Sequence, residues 1–377
     1  MKIMVVAPYF PPHIGGAENY AYNIAKGLKE EYGWEIVAIT SNHEKRERKE
    51  EIIDGIKIYR LPFWFKISNT PVNPMWLFSI RRILREEQPD IINAHSPVPF
   101  ISDITSLIAD KTPLIITYHS GSMIKPSSIW NPLIFLYELL FLPMIFRKSQ
   151  KIICYSPDFM RRNLNVYKDK VNYIPPGVDT KEFKLSKKRS TNDVLFVGRI
   201  EKNSDWKGIS YLLEAISIVK QIKPEISLRL VGPGDRVDYF KMYAQKLGIN
   251  KNVKFVGSKI NSGLSLEYQQ SKVIVLPSIM QSESFGIILI EAMACRKPVI
   301  GSNVGGIPYV IDNNENGLLV PPKDPEALAK AIIKILKNPK LAKKMGENGY
   351  KKVKENFTWD KQIKKTKKII EESIDKK

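Results

Sequence analysis

Cysteine is nearly absent: 377 residues hold two, Cys154 and Cys295, in the apolar contexts KIICYS and EAMACRK. Neither has the spacing of a metal ligand. No zinc site or disulfide framework is therefore indicated, and both read as buried, reduced thiols of an intracellular, cytoplasmic protein. No Asp-x-Asp pair and no His/Cys cluster occurs, so nothing indicates a metal held by acidic side chains. A Gly-x-Gly-x-x-Gly run is missing too, and with it the dinucleotide fingerprint. Low-complexity tracts are lacking, as are zinc-finger, homeodomain and RNA-binding signatures, so nucleic acid is not an expected partner. The opening MKIMVVAPYF is cut by Pro8 within strand length and does not read as a secretory signal.

A long uninterrupted apolar run is missing as well. The most apolar stretch, residues 129–146, is interrupted by Asn131, Pro132, Glu138 and Pro143. Spanning a bilayer takes ~20 clean apolar residues, so a transmembrane helix is not expected. The stretch reads as a buried core helix, the preferred reading, or as an apolar lip dipping into a membrane interface. RLPFWFKISNTPVNPMW (60–76) adds Phe63, Trp64, Phe65 and Trp76 beside Lys66 in a loop-like context. Such residues would suit a lipid-linked acceptor and peripheral association with an anionic membrane at its inner face.

What is present is globular: 43% hydrophobic and 26% charged residues, with a net charge of +20. That charge fits an anionic membrane surface or phosphorylated substrates. Much of the excess lies in about the last fifty residues, where lysine decorates solvated helix faces.

The length suits two domains. Apolar runs of strand length alternate with helical segments, the pattern of a parallel sheet covered on both faces. One series occupies 2–8, 34–40, 56–61, 91–96, 113–119 and 151–156; a second occupies 193–200, 226–232, 252–257, 272–278, 297–302 and 317–322. Between them, Pro175-Pro176-Gly177 and the polar KLSKKRSTND break both periods. The expected division is a first domain over 1–180, a second over 181–355, and a helix over 356–377 packing back on the first. Ligands of doubly wound sheets bind at the carboxyl ends of the strands, here expected across a cleft.

The densest chemistry runs from Leu276 to Gly306, LPSIMQSESFGIILIEAMACRKPVIGSNVGG. Glu283 and Glu291 stand eight residues apart around Phe285-Gly286-Ile287, with Glu283 expected in the loop before a helix and Glu291 two turns into it. A carboxylate among Ile288, Ile290, Ala292, Met293 and Ala294 needs a hydrogen-bond partner. Two carboxylates flanking a helix start point to a polyhydroxylated ligand carrying phosphate; an amphipathic helix with two satisfied carboxylates fits the same residues. Arg199, after the strand DVLFVGRI, and Lys207, at the next helix start, suit a leaving diphosphate or serve as surface caps. Gly15-Gly16 open the first long helix, where a glycine pair lets backbone approach a ligand, though plain turn chemistry gives the same pattern. His119 ends PLIITYH beside Gly121, facing the expected cleft. His95 in IINAHSP is a weaker candidate, and His13 precedes the glycine pair.

Together these segments resemble glycosyltransferase family 4, the retaining enzymes of GT-B architecture. The resemblance is carried in order by PPHIGGAEN (11–19), TYHSG (117–121), PPGVD (175–179), FVGRI with WKG (196–208) and SESFGIILIEAMACRKPVIGSNVGGIPYVI (282–311). It implies an α/β GT-B fold, two Rossmann-like doubly wound domains facing each other across a cleft. It also implies metal-independent transfer of a hexosyl group from a nucleotide-diphosphate sugar, of the GDP-mannose or UDP-glucose/UDP-N-acetylglucosamine type. The acceptor would be a glycan, a lipid-linked or a small molecule, and no cofactor is implied beyond the donor. Glu283 would contact donor sugar hydroxyls and Glu291 the ribose, while backbone at Phe285, Gly286 and Ile287 would meet the diphosphate. Arg199 and Lys207 would neutralise the leaving group, with Gly15-Gly16 approaching it from the opposite domain. His119 would lie near donor sugar and acceptor, and the base near Lys259-Ile260.

Three departures from the family pattern bear on donor preference. The Arg199–Lys207 gap is longer than usual, so the loop EKNSDW is expected to bulge; Ser284 stands where glycine is common; and SNVGG replaces an acidic variant. Another GT-B enzyme, such as a sugar-nucleotide epimerase, and a non-catalytic nucleotide-sugar-binding protein are the competing classes.

Overall fold

The computed structural model describes residues 1–13, 15–42, 47–67, 70–119, 123–124, 129–156, 165–185 and 191–374. Contacts divide the chain into two units, Met1–Pro176 with Trp359–Lys377, and Gly177–Thr358.

The first unit is built on β1 (Lys2–Val6), β2 (Glu35–Ser41), β3 (Lys49–Ile53), β4 (Ile56–Leu61), β7 (Ile91–Ser96), β8 (Leu114–Tyr118), β9 (Lys151–Cys154) and β10 (Val171–Tyr173), with a separate hairpin of β5 (Phe65–Ile67) and β6 (Thr70–Val72). The large sheet runs β10-β9-β8-β7-β1-β2-β4-β3. All its pairs are parallel except β3 with β4. β1 lies between β2 and β7, and Ile3 to Val6 are buried. A strand covered on both faces needs such a continuous apolar run. The helix Gly16–Tyr32 buries Tyr20, Ala21, Ile24, Ala25 and Leu28, one stripe at helical spacing. It stops at left-handed Gly33, whose N–H donates to the Lys29 carbonyl. The helix Trp359–Ile374 packs against it and buries Ile363, Ile369 and Ile370.

The second unit has six parallel strands: β11 (Asn192–Val197), β12 (Leu228–Val231), β13 (Val253–Gly257), β14 (Ser271–Leu276), β15 (Val299–Ser302) and β16 (Gly317–Val320). Their order is β13-β12-β11-β14-β15-β16. Chain order reverses between β11 and β14, the point where doubly wound sheets open toward ligands. Leaving aside the antiparallel edge β3, the first unit reverses in the same way between β1 and β7. Both units are Rossmann-like and the fold is α/β.

Two expectations change. The sequence pattern missed β3, β10 and the β5–β6 hairpin; β3 is the charged edge run KEEII, and the others are only three residues per strand. Residues 129–146 are not a buried core helix. The helix Asn131–Lys148 buries only Leu142, Ile145 and Phe146, near its C-terminal end. Being apolar all round, it has no polar face to reveal which side is covered.

Candidate active site

At the reversal point of the second unit, β11 runs out into Gly198-Arg199-Ile200, and β14 into Pro277-Ser278. The expected loop bulge after Arg199 is instead a 3-10 helix, Lys202–Lys207. Lys207 closes that turn and does not begin the long helix, which starts at Ile209 after left-handed Gly208. A Cβ on Gly208 would lie 2.0 Å from the Pro277 carbonyl oxygen, so only glycine lets this turn press against the end of β14. The Ile279 N–H donates to the Trp206 carbonyl at 2.8 Å and fastens the same join.

The join brings Lys207 to Glu283. Lys207 Nζ donates to Glu283 Oε2 at 2.6 Å, and Ser278 Oγ donates to the same oxygen at 2.8 Å. Glu283 is 5% exposed, and the Lys207 ammonium also stands 4.2 Å from the Trp206 ring centroid. A buried carboxylate needs such partners. Arg199 is exposed at the end of β11.

Glu283 lies in the loop before the helix Ile287–Ala294. Glu291 is one turn into that helix, not two, because the helix begins at Ile287. Glu291 accepts from the Tyr268 hydroxyl at 2.6 Å, and burial pushes its carboxyl up to about 7 against the pull of that bond. Phe285 is buried against Phe357 at a centroid distance of 5.4 Å, and Gly286 takes the left-handed cap position at φ 83°. No side chain caps this helix start, where the Leu289 N–H donates back to the Gly286 carbonyl at 2.9 Å and the Ile287 and Ile288 N–H groups precede it. The Gly305-Gly306 turn closes over the loop. A Cβ on Gly305 would lie 2.0 Å from the Glu283 carbonyl oxygen, which instead accepts from the Gly306 N–H at 2.8 Å. Lys259 and Ile260 are exposed between β13 and the helix Asn261–Gln270, which carries Tyr268 and packs on Ile287–Ala294.

In the first unit, Gly15 is extended and Gly16 is the first residue of the helix. Glu18 folds back over Gly15 and lies 3.3 Å from His13 Nδ1. His119 follows β8 and is buried, with both ring nitrogens engaged. His95 Nδ1 meets its Nε2 at 2.7 Å, and the Tyr155 hydroxyl meets its Nδ1. The two imidazoles stack at 4.9 Å and Tyr20 packs edge-on against His119 at 5.6 Å. Burial, reinforced by His95, holds His119 well below the usual imidazole value, and burial alone holds His95 at about 3; both rings are neutral. Gly121 lies outside the described residues.

Sequence reasoning missed Ser278, Tyr268 and Tyr155. Ser278 had a signal, since it follows a strand-ending proline five residues before Glu283. Tyr268 and Tyr155 reach their partners across 23 and 36 residues of chain, which no local pattern encodes. Among the described residues, no group of three or more His, Cys, Asp or Glu side chains is placed to hold a metal ion.

The sequence matches the family described as Glycosyl transferases group 1 over residues 178–352, and Glycosyltransferase Family 4 over residues 14–182. It is 28% identical to an uncharacterized glycosyltransferase of Methanocaldococcus jannaschii over 99% of each chain. Among solved structures, sucrose-phosphate synthase of Thermosynechococcus elongatus superposes with a TM-score of 0.82 at 24% identity, covering 100% of both chains. The Anabaena protein HepE in complex with UDP-glucose superposes with a TM-score of 0.75 at 19% identity, covering 99% of this chain and 100% of that one. With two family matches laid end to end over the same two Rossmann-like units, the chain belongs to the family 4, group 1 glycosyltransferases and has their GT-B fold.

Proposed function

We propose that the protein transfers a hexosyl group, with retention of anomeric configuration, from a nucleotide-diphosphate sugar to a glycan, lipid-linked or small-molecule acceptor. The bond from the anomeric carbon to the diphosphate breaks as the acceptor hydroxyl oxygen bonds to that carbon on the same face. The acceptor proton passes to the departing phosphate oxygen. Arg199 and Lys207 supply positive charge to the leaving diphosphate, and the uncapped start of the helix Ile287–Ala294 adds N–H donors. No metal is needed in this scheme. Glu283 receives donor sugar hydroxyls, Glu291 the ribose, and Lys259-Ile260 border the base.

The observation that carries this reading is the Lys207–Glu283 contact of 2.6 Å at the sheet's reversal point. Among the described residues, both hydrogen-bond partners of Glu283 use Oε2, so Oε1 can accept from a sugar hydroxyl. The UDP-glucose bound by HepE supports a nucleotide-sugar donor on this fold.

The test is a thermal-shift series with GDP, UDP, ADP and their sugars, followed by turnover of Glu283→Ala with the donor that stabilises. A ligand preferring the native state raises the midpoint. Turnover is expected to fall by at least about a hundredfold in the variant. No shift with any nucleotide would remove the donor assignment, and an unchanged rate would remove Glu283 from the reaction.

A further inference from the structure

The turn that delivers Lys207 is a 3-10 helix, Lys202–Lys207, and the residue before it, Glu201, gives it no side-chain cap. Helices of this kind are short and their hydrogen bonds poorly directed, so neighbouring segments decide where they sit. One neighbour is the exit of β14, where the Ile279 N–H donates to the Trp206 carbonyl. The other is the loop Gly232–Arg236, which leaves β12 and leads into the helix Val237–Lys246.

That loop grips the turn and its approach at four points. Asp235 Oδ1 accepts from the Lys202 N–H at 3.0 Å, supplying at the first residue of the turn the acceptor that Glu201 does not. The Arg236 N–H donates to the Ile200 carbonyl at 2.9 Å, and the Ile200 N–H donates to the Pro233 carbonyl at 2.7 Å. The Arg236 guanidinium stands 3.6 Å from Asp205 Oδ2 and lies over the Tyr239 ring, 3.8 Å from its centroid, which restrains it. Asp205 in turn closes the 3-10 helix, its carbonyl accepting from the Gly208 N–H at 3.0 Å.

These side chains do little for the fold as a whole. Asp235 is exposed and the Asp205 side chain is 49% exposed, and ion pairs so open to water add little stability. Their leverage is geometric. Misplacing a reacting group by about 1 Å costs on the order of a hundredfold in rate.

We propose that Asp235 and Arg236 are positioning residues for Lys207. They hold the 3-10 helix so that the ammonium meets Glu283 and the leaving diphosphate, and so make up for an Arg199–Lys207 gap longer than usual. This role rests on the assignment of Lys207 to the leaving group.

The experiment measures steady-state nucleoside diphosphate release by the full chain from the sugar nucleotide that stabilises it. Asp235→Ala/Arg236→Ala should lower kcat about tenfold or more while the donor KM stays within about threefold, because the interaction displaced is one made in the transition state. The melting midpoint without ligand should stay within about 3 °C of the parent. Asp235→Asn/Arg236→Lys keeps an acceptor for the Lys202 N–H and a cation for Asp205, and should recover most of the lost turnover. In a Lys207→Ala background the alanine pair should cost less than about twofold further, since the group it positions is already gone. A parent-like kcat in the alanine pair overturns the proposal and leaves the role of Lys207 intact. So does a loss undiminished in the Lys207→Ala background, a loss that comes with a midpoint lowered by more than about 3 °C, or one that the conservative pair does not recover. If Lys207→Ala itself turns over at the parent rate, or no sugar nucleotide stabilises the chain, the assignment of Lys207 fails and this role falls with it.

Discussion

At the ends of β11 and β14 the chain places Arg199, Lys207 and Glu283, whereas at the corresponding ends of β7 and β8 it places His95 and His119. The second sheet reverses its strand order between β11 and β14, and the first between β1 and β7, so His95 on β7 sits at the reversal while His119 reaches it from the next strand, β8. The chemistry of the two ends is opposite. The second unit gathers a carboxylate, an ammonium and a guanidinium near a helix start, whereas the first buries two neutral imidazoles against Tyr155 and Tyr20. One end carries ionised groups of both signs; the other holds uncharged rings in fixed positions. Fold supplies the location and the residues decide what happens there.

Lys207→Ala separates the two regions most sharply. Removing one preorganised cation from a developing diphosphate should lower kcat by roughly a hundredfold to a thousandfold. The single variant also strands a buried carboxylate, so Lys207→Ala/Glu283→Ala should recover part of the lost stability without recovering turnover. If the double variant regained turnover, the pair would be a structural bridge and the contrast would dissolve.

His119→Ala should act mainly on folding. It opens a cavity and leaves the Tyr155 hydroxyl and His95 Nδ1 without their partner, at a cost of about 2–4 kcal/mol in chemical denaturation. Stability within a few tenths of a kcal/mol of the parent would contradict the packed, doubly bonded histidine described above.

The pH dependence of stability should differ in sign between the regions. His95 and His119 are depressed on folding. Their contribution is fully present above the unfolded imidazole range and is lost as pH falls, for His95 toward about 3. Glu291 is raised from 4.5 to about 7, so its contribution is present below the unfolded value and is lost as pH rises through about 7. Buried Asp103 in the first unit, raised to about 6, works in the same sense as Glu291 and partly offsets the histidines. Glu291→Gln keeps an acceptor for Tyr268 while removing the titration. Relative to the parent it should gain on the order of 1 kcal/mol between pH 5 and pH 7.5. A parallel pair of stability curves would show that Glu291 titrates normally.

The strand pattern was legible because parallel strands buried on both faces must be apolar throughout, and all twelve expected runs became strands. The charged cluster of the second unit was legible for a related reason. Charged residues at the ends of apolar runs, such as Arg199 after DVLFVG, stand out against what a core tolerates. Glu291 announced that it needed a partner but could not name Tyr268, because the partner comes from another helix. The 129–146 segment misled most, since composition alone does not tell a core helix from one left uncovered.

The smallest expected effect is none at all, and it concerns metal. If Arg199 and Lys207 carry the diphosphate charge, chelation with EDTA and addition of Mg²⁺ should leave the parent rate unchanged within error. The same treatment of Lys207→Ala is the sharper version. Where the ammonium has been removed, a divalent ion can stand in for part of its charge and Mg²⁺ should restore some turnover. A parent enzyme that lost activity in EDTA would show that the second unit's cations do not suffice. Rescue confined to the variant would place the missing charge beside Glu283, where the turn ending in Lys207 meets the end of β14.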